Sequence, residues 1–441
     1  MISKTEQSTI PFIQNFEASA QKRALEPQWL SEWRQKGLER FQQLGIPNVK
    51  NEEWKYTDIT PIIKRKYQLN GQEQWQDNGM LAAYSAATDI HIVFINGAFS
   101  EALSNISHLP KGLKITSFEE ALTRKEGLVE QLLKKYKAEE ENAFTALNRA
   151  FFSQGFFLDI GADSILKDRL IHIIHVTHTP EKEIFTAPRS LITIGESAEA
   201  AILETHLCSS NTAVYLVNSL TDIFLAENAT LNYGKAQNES PQSFHISQTR
   251  VWQDRNSNFN SSLLTTQGAI IRNNLDVILD GEGASALLNG LYSLRGRQLV
   301  DNHTCVEHRR PNAVSNQLYK GILNDASHAV FNGKIIVRPI AQKTNSYQLN
   351  KNLLLGKDCR IETKPQLEIF ADDVKCTHGA TIGQLDEDEV FYLQTRCIAK
   401  KEAIRMLAQG FMEEIVTKVT NLSVQEKLNK LLQPSLAALS L

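Results

Sequence analysis

The sequence contains no CxxC pair, and only five cysteines occur in its 441 residues: Cys208, Cys305, Cys359, Cys376 and Cys397. An odd, scattered set excludes a disulfide framework and fits a reducing, cytoplasmic setting. No uninterrupted apolar run approaches a membrane span, so none is expected. The opening MISKTEQSTIPFIQNFEAS lacks the basic start and long apolar run of a signal peptide. No G-x-x-x-x-G-K-[ST] motif is present, so the chain is not expected to hydrolyse ATP itself. Charge of one sign is not in excess: the formal net charge is −3, too balanced for a nucleic-acid groove. Helix-length periodic segments are nearly missing between Gly155 and Arg396. That removes the crossovers a Rossmann or barrel α/β fold requires.

What is present has three textures. Residues 1–154 read as a mostly helical region. Its first clear helix lies in EPQWLSEWRQKGLERFQQLGIP, where Trp29, Leu30, Trp33, Leu38, Phe41 and Leu44 fall at roughly helical spacing before Gly45 and Pro47. NEEWKYTDI follows, rich in aromatic and charged residues. DIHIVFING then reads as a strand, SFEEALTRKEGLVEQLLKKY as helical, and ENAFTALNRAFFSQGFFLDI passes from helix to strand.

Residues 155–396 repeat a unit of strand, acidic or glycine turn and strand at an irregular interval of roughly 30 residues. A β-sandwich and a parallel β-helix both fit short strands; the long series of similar units favours the β-helix. Residues 397–441 are helical again. AKKEAIRMLAQGFMEEIVTKVTNL places Ile404, Leu407, Phe411, Ile415, Val419 and Leu422 on one stripe. Ser423 and Glu426 match a capping box for a second helix that Pro434 would end. The stripe either caps the solenoid or docks a partner.

Several constellations offer chemistry, and each has a plainer structural explanation. Gly281, Gly283 and Ala286 of GEGASA, with Asp301 about 20 residues on, fit a loose dinucleotide motif. The following LLNGLYSLRG alternates and will not make the helix that holds a pyrophosphate, so a solenoid turn explains it better. RLIHIIHVTHT carries His172, His175 and His178. Its β-branched neighbours make it a strand, where His175 opposes the other two, and partly exposed histidines are the default over a metal site. Asp301, His303 and Cys305 alternate along one strand face beside His308, Arg309 and Arg310. A hydrogen-bonded ladder at an interface satisfies them as well as a metal or anion would, and is the favoured reading.

The last constellation is LEIFADDVKCTHGATIGQLDEDEVFYLQTR. Val374, Cys376, His378, Ala380 and Ile382 alternate, so Cys376 and His378 face one way, about 6.6 Å apart along the strand. A cysteine on an apolar face is ordinarily packing. An imidazole beside it needs partners, and the two together suit iron, zinc or an iron–sulfur cluster. Two ligands cannot close a four-ligand site, so the rest must come from elsewhere.

FADDVKCTHGATIG followed by DEDEVFYLQTR, with EEWKYTDI near the start and DNHTCVEHRRPNAVSNQLYKGIL between, resembles the SufD-like members of the SufB/SufD family of the SUF iron–sulfur cluster assembly system. The resemblance runs over nearly the whole length in the same order. The SufB-like branch tends to be longer and typically reads Glu-His-Glu-Ala-Thr where this sequence has the Cys-x-His block.

The resemblance implies a mainly β fold, with a right-handed parallel β-helix core flanked by N-terminal and C-terminal helical regions. It implies a scaffold subunit without independent catalysis. Such a subunit pairs with a SufB-like paralogue through the core and engages a SufC ATPase through the C-terminal region. The stripe Ile404, Leu407, Phe411, Ile415 and Val419 is expected to make the SufC contact. His378, and Cys376 with it, fall on the positions tied to cluster assembly at the SufB interface, as metal ligands shared with the partner. A transient iron–sulfur cluster is expected in the assembly, with no cofactor stably held by this chain alone. A flavin is discussed as electron source for such assemblies, and no motif here assigns one. In isolation an unpaired β-edge leaves both a homodimer and a monomer open. Cys397 departs from the family, which usually has Gly there, so a special backbone conformation is expected to be lost. The competing functions are a β-helix enzyme acting on a polysaccharide and a purely structural solenoid adaptor.

Overall fold

The computed structural model describes residues 26–69, 75–84, 89–106, 108–124, 126–135, 142–152, 154–179 and 182–438. The opening nineteen residues read above lie outside the described residues. Strand accounts for 46% and helix for 23% of the chain, which makes it mainly β. Two facing sheets of eleven and ten strands run the length of the core, and successive strands alternate between them. From Phe157 onward, every pairing between core strands is parallel. Parallel pairing with a strand in each sheet per turn defines a β-solenoid, here of about eight turns. The sandwich alternative, built of antiparallel pairs, is therefore excluded.

The repeat interval is visible in the register. Thr230 pairs with Asn258, Asn258 with Ser285, Ser285 with Val314, Val314 with Asn345 and Asn345 with Lys375. One turn position in each rung needs a left-handed backbone. Asp163, Ser197, Asn228, Asn256, Gly283, Asn312 and Lys343 occupy it in succession, with φ between 53° and 69°. Asn, Asp and Gly tolerate that conformation best. Each backbone N–H in this column donates to a carbonyl of the next rung: Asn228 to Arg255, Asn256 to Glu282, Gly283 to Pro311. Gly283 of the GEGASA motif is thus a solenoid turn residue and not part of a phosphate loop.

Side chains alternate in and out along each strand. The interior packs Ile202, Leu231, Phe259, Leu288, Val306, Phe331 and many others, all essentially buried. Burying one such side chain contributes ~1.5–3 kcal/mol relative to leaving it exposed. Two interior tyrosines are fitted to glycines: a Cβ on Gly290 would meet Tyr319 at 2.2 Å, and one on Gly321 would meet Tyr292 at 2.1 Å.

The flanking regions differ in detail from the sequence reading. The N-terminal region is not only helical. Its helices Gln28–Leu44 and Ala143–Phe151 pack on the solenoid flank, but Ile90–Ile95 pairs parallel with Ile171–Val176 and antiparallel with the edge strand Ala98–Asn105, and so joins one of the two sheets. The ladder ends at Gly383, and Glu387–Thr395 already forms a helix, before residue 397. The final helix, Leu422–Ala437, is capped by Asn421, whose side chain accepts from the Val424 N–H, and not by Ser423. Pro434 lies inside it and does not end it.

Candidate functional site

The strand Lys375–Gly383 is the last rung of one sheet, and Arg360–Ile369 ends the other. Each is paired on one side only, so this end of the solenoid is open. Cys376 stands in register over Ser346, and His378 over Gln348. Ser346 and Gln348 point into the interior and are buried, so Cys376 and His378 point into the open mouth above them. Cys376 is half-buried, against the margin of a cluster formed by Ile335, Val337, Ala341 and Ala371. Burial pushes its thiol pKa above the ordinary value, so it is protonated in the isolated chain. His378 is exposed. Among the described residues, neither belongs to a group of three or more metal-capable side chains. The chain alone therefore offers two donors at an open end.

The interior beneath that mouth is polar. Ser346 and Ser315 hydroxyls lie 2.7 Å apart, and Ser315 Oγ is 2.9 Å from His308 Nε2. Gln348 Nε2 donates to the Gly333 carbonyl at 3.2 Å, and Thr304 Oγ1 donates to Gln317 Oε1 at 2.7 Å. A Cβ on Gly333 would lie 2.2 Å from Gln348 Nε2, so the absence of a side chain there admits the glutamine. This column of serine, glutamine and histidine is a second feature of the site, one the sequence reading missed.

Asp301, His303 and Cys305 face the other way, outward, and Asp301 and His303 join a hydrogen-bonded ladder, within the chain itself, that leaves out the Cys305 thiol. Asp301 accepts from Arg272 Nη1 at 2.7 Å and from Thr57 Oγ1 at 2.7 Å. His303 lies 2.8 Å from Asp301 and 3.2 Å from Glu53, and Arg272 stacks 3.9 Å over Trp54. Burial works against the charged forms of both Asp301 and His303. The Arg272 and His303 charges nonetheless hold Asp301 down at about 2, and Asp301 keeps the His303 pKa above its ordinary value. Burial pushes the Cys305 thiol far up, and among the described residues Cys305 belongs to no group of three or more metal-capable side chains. The EEWKYTDI segment is thus tied by its Glu53, Trp54 and Thr57 to the middle of the solenoid.

Comparison with known proteins places these features. Residues 176–411 match the family model described as SUF system FeS cluster assembly, SufBD core domain, and residues 4–173 match the SufBD protein N-terminal region. The chain belongs to the SufBD family. An iron–sulfur cluster assembly SufBD family protein of Synechocystis is 32% identical over 90% of this chain and 89% of its own length. The Escherichia coli iron–sulfur cluster assembly protein SufD is 30% identical over 91% of this chain and 90% of its own. The Bacillus subtilis protein of the same name is 24% identical over 91% and 93%. Membership of the SufBD family puts the chain in the SUF system of iron–sulfur cluster assembly.

The C-terminal stripe requires correction. Ile415 and Val419 are buried against the outer face of the solenoid, in a cluster with Leu203, Leu264, Leu291, Leu318, Val424 and Leu428. Phe411 packs on the same cluster under the Lys320 ammonium, 3.8 Å from its ring. Ile404 and Leu407 are half-buried. Ile415 and Val419 are therefore spent on holding the helix Lys400–Val416 and its following turn to their own sheet, and are not free to contact a partner. The exposed apolar side chains here are Met406 and Leu422. No helix among the described residues is long and apolar enough to cross a membrane.

The histidines of RLIHIIHVTHT separate. His172 is fully buried, not partly exposed, with Nε2 2.8 Å from Thr205 Oγ1, and burial lowers its pKa to about 3. His178 Nδ1 lies 2.7 Å from Ser209 Oγ. His175 faces inward and meets Glu204 and His206 of the next rung, a grouping absent from the sequence reading. Its pKa is lowered to about 3, chiefly by burial.

Cys397 has φ 65°. The Ile398 N–H reaches the Leu393 carbonyl and the Cys397 N–H reaches that of Gln394. That is the Schellman closure of the helix Glu387–Thr395. The left-handed geometry expected to vanish with glycine is therefore kept, by a cysteine.

Proposed function

We propose that this chain is a non-catalytic scaffold subunit of a SUF assembly, pairing through its open solenoid end with a SufB-like paralogue and engaging a SufC-like ATPase through its C-terminal helices. The observation that carries the reading is the open terminal rung. Cys376 and His378 stand side by side in its mouth, next to backbone edges with no strand partner. An unpaired, parallel edge is a template for a further strand. Exposed Phe370, Ile382, Phe391 and Tyr392 lie on or just beyond the two terminal strands and supply apolar area for a contact. Thiol and imidazole are donors that iron and iron–sulfur clusters accept. A partner bearing the remaining ligands would complete a site for the cluster, which is the cargo of the assembly, and no resident cofactor is assigned to this chain. Alone, the same edges would pair two copies.

The test is co-expression with the SufB-like and SufC-like proteins of the same cells, under anaerobic purification. The His378→Ala chain should fold and still co-purify with both. The complex should carry much less iron and sulfide than wild type. Cys376→Ser should show a similar loss if the thiol is a ligand and a smaller one if it tunes the site. Normal cluster yield from a normally assembled His378→Ala complex would make the pair simple packing.

A further inference from the structure

Far from the open mouth, the strands Ile165–Thr177 and Glu199–Cys208 bring three unused donors together inside the solenoid. His175 and His206 are register partners, and their rings stack at 4.6 Å with a 7° tilt. Glu204, two residues before His206, faces the same way. Its Oε2 lies 3.9 Å from His175 Nε2 and 3.8 Å from His206 Nε2. These distances exceed a hydrogen bond, so the three groups face a common space without satisfying one another. The ligand atoms all lie within 4.8 Å of one another. His206 Nε2 and Glu204 Oε1 are buried with no hydrogen-bond partner, and the Tyr233 hydroxyl lies among Glu204, Thr221 and Thr249. Side-chain exposure is 3% for Glu204, 4% for His206 and 11% for His175, so the group is interior. Buried polar atoms are almost always paired, and two orphans around one space point to something that fills it.

We propose that His175, Glu204 and His206 bind a divalent transition-metal cation of the Fe2+ or Zn2+ type within the solenoid core. Two imidazoles and one carboxylate are a donor set these ions take, leaving a further position for water or the Tyr233 hydroxyl. Metal–ligand bonds of about 2.0–2.2 Å place donors roughly 3–3.5 Å apart. Each side chain has to close by an ångström or less, with the two stacked rings tilting toward each other. His245 is not a ligand. Its Nε2 is 2.8 Å from Ser219 Oγ and its Nδ1 is 2.6 Å from Glu239 Oε1.

A buried charge also borders the group. Lys235 is the register partner of Glu204 and interacts electrostatically with Glu204 and Glu239. Glu204 is the carboxylate of the group that a dication would share with this ammonium. The group lies six strand spacings, roughly 29 Å, from the strand of Cys376 and His378. It does not rest on the cluster-assembly reading.

The test uses the full chain, stripped with chelator and titrated with Co2+, whose visible bands report the ligand field. Wild type should bind a single Co2+ per chain that Zn2+ displaces. Glu204→Gln, nearly isosteric, should weaken binding about tenfold or more, and His206→Gln roughly 100-fold. The double variant Cys376→Ser, His378→Ala should bind as wild type does. Circular dichroism checks folding, and Glu204→Gln decides the matter if His206→Gln does not fold. The proposal is overturned if wild type binds no Co2+, if Glu204→Gln loses less than about tenfold, or if the Cys376, His378 double variant loses the site. In the first case a buried water satisfies the orphaned atoms.

Discussion

His378 sits one rung above Gln348, and Gln348 fits only because residue 333 has no side chain. A methyl at Gly333 would come 2.2 Å from Gln348 Nε2 and displace the hydrogen bond to the Gly333 carbonyl. Gly333→Ala should cost about 1–3 kcal/mol of stability by overpacking. It should also shift the imidazole resonances of His378, since its floor moves. Gly379→Ala, whose Cβ would meet Leu349 Cδ1 at 3.1 Å, is the milder control. Equal melting temperatures for the two variants would show that Gln348 has room to yield.

Cys397 holds a left-handed conformation that costs a residue with a Cβ roughly 1–2 kcal/mol. Glycine returns about 0.4–1 kcal/mol of that through its freer unfolded chain. Cys397→Gly should therefore stabilise the junction by about 0.5–1 kcal/mol. Hydrogen exchange in the helix Glu387–Thr395 should slow accordingly. Faster exchange would mean that the thiol makes a contact worth more than the backbone strain.

The ladder around Asp301 makes attachment of the EEWKYTDI segment pH-dependent in two directions. The folded His303 pKa lies above its ordinary 6.5, so its contribution is complete below that value and is lost as pH rises through the raised one. Asp301 and Glu53 have lowered pKa values. Their contribution is present above the ordinary carboxylate range and is lost as pH falls. Amide protection at residues 52–59 should be greatest between those limits and should decline on the alkaline side first at neutral pH and above. His303→Gln should abolish the alkaline decline and keep the acid one. Arg272→Met, which leaves the buried Asp301 without its guanidinium, should cost about 3–5 kcal/mol.

The solenoid was legible because strand alternation and a turn every 30 residues or so are local signals. Asn228, Asn256, Gly283 and Asn312 write the left-handed column directly into the sequence. The common face of Cys376 and His378 was legible for the same reason. What lay beneath them was not. Ser315, Ser346 and Gln348 reach the mouth from other rungs, and register over such distances depends on turn lengths that vary between rungs. His175 and His206 lie a full rung apart in sequence, so no spacing rule pairs them. The C-terminal stripe was read correctly as apolar, but periodicity alone does not say whether a chain's own sheet or another protein covers it.

That ambiguity decides how partner docking should be tested. Removing residues from Lys400 onward would strip Met412, Ile415, Val424, Leu428 and Leu432 from Leu203, Leu264, Leu291 and Leu318. The outer face of one sheet would then be bare, and loss of a partner would follow from misfolding as easily as from a missing contact. Point changes on the outward side separate the two. Leu422 is 71% exposed and Met406 45% exposed, so neither holds the helices to the sheet. Met406→Glu and Leu422→Glu should leave the melting temperature within about a degree, as surface changes do. If the C-terminal helices engage the ATPase subunit, the double variant should lose most of its co-purifying SufC-like protein while retaining the SufB-like one. Ile415→Asp should instead destabilise the chain itself, by about 3 kcal/mol or more, because it buries a charge with no partner. Retention of the ATPase by the Met406, Leu422 variant would move the docking surface off these helices.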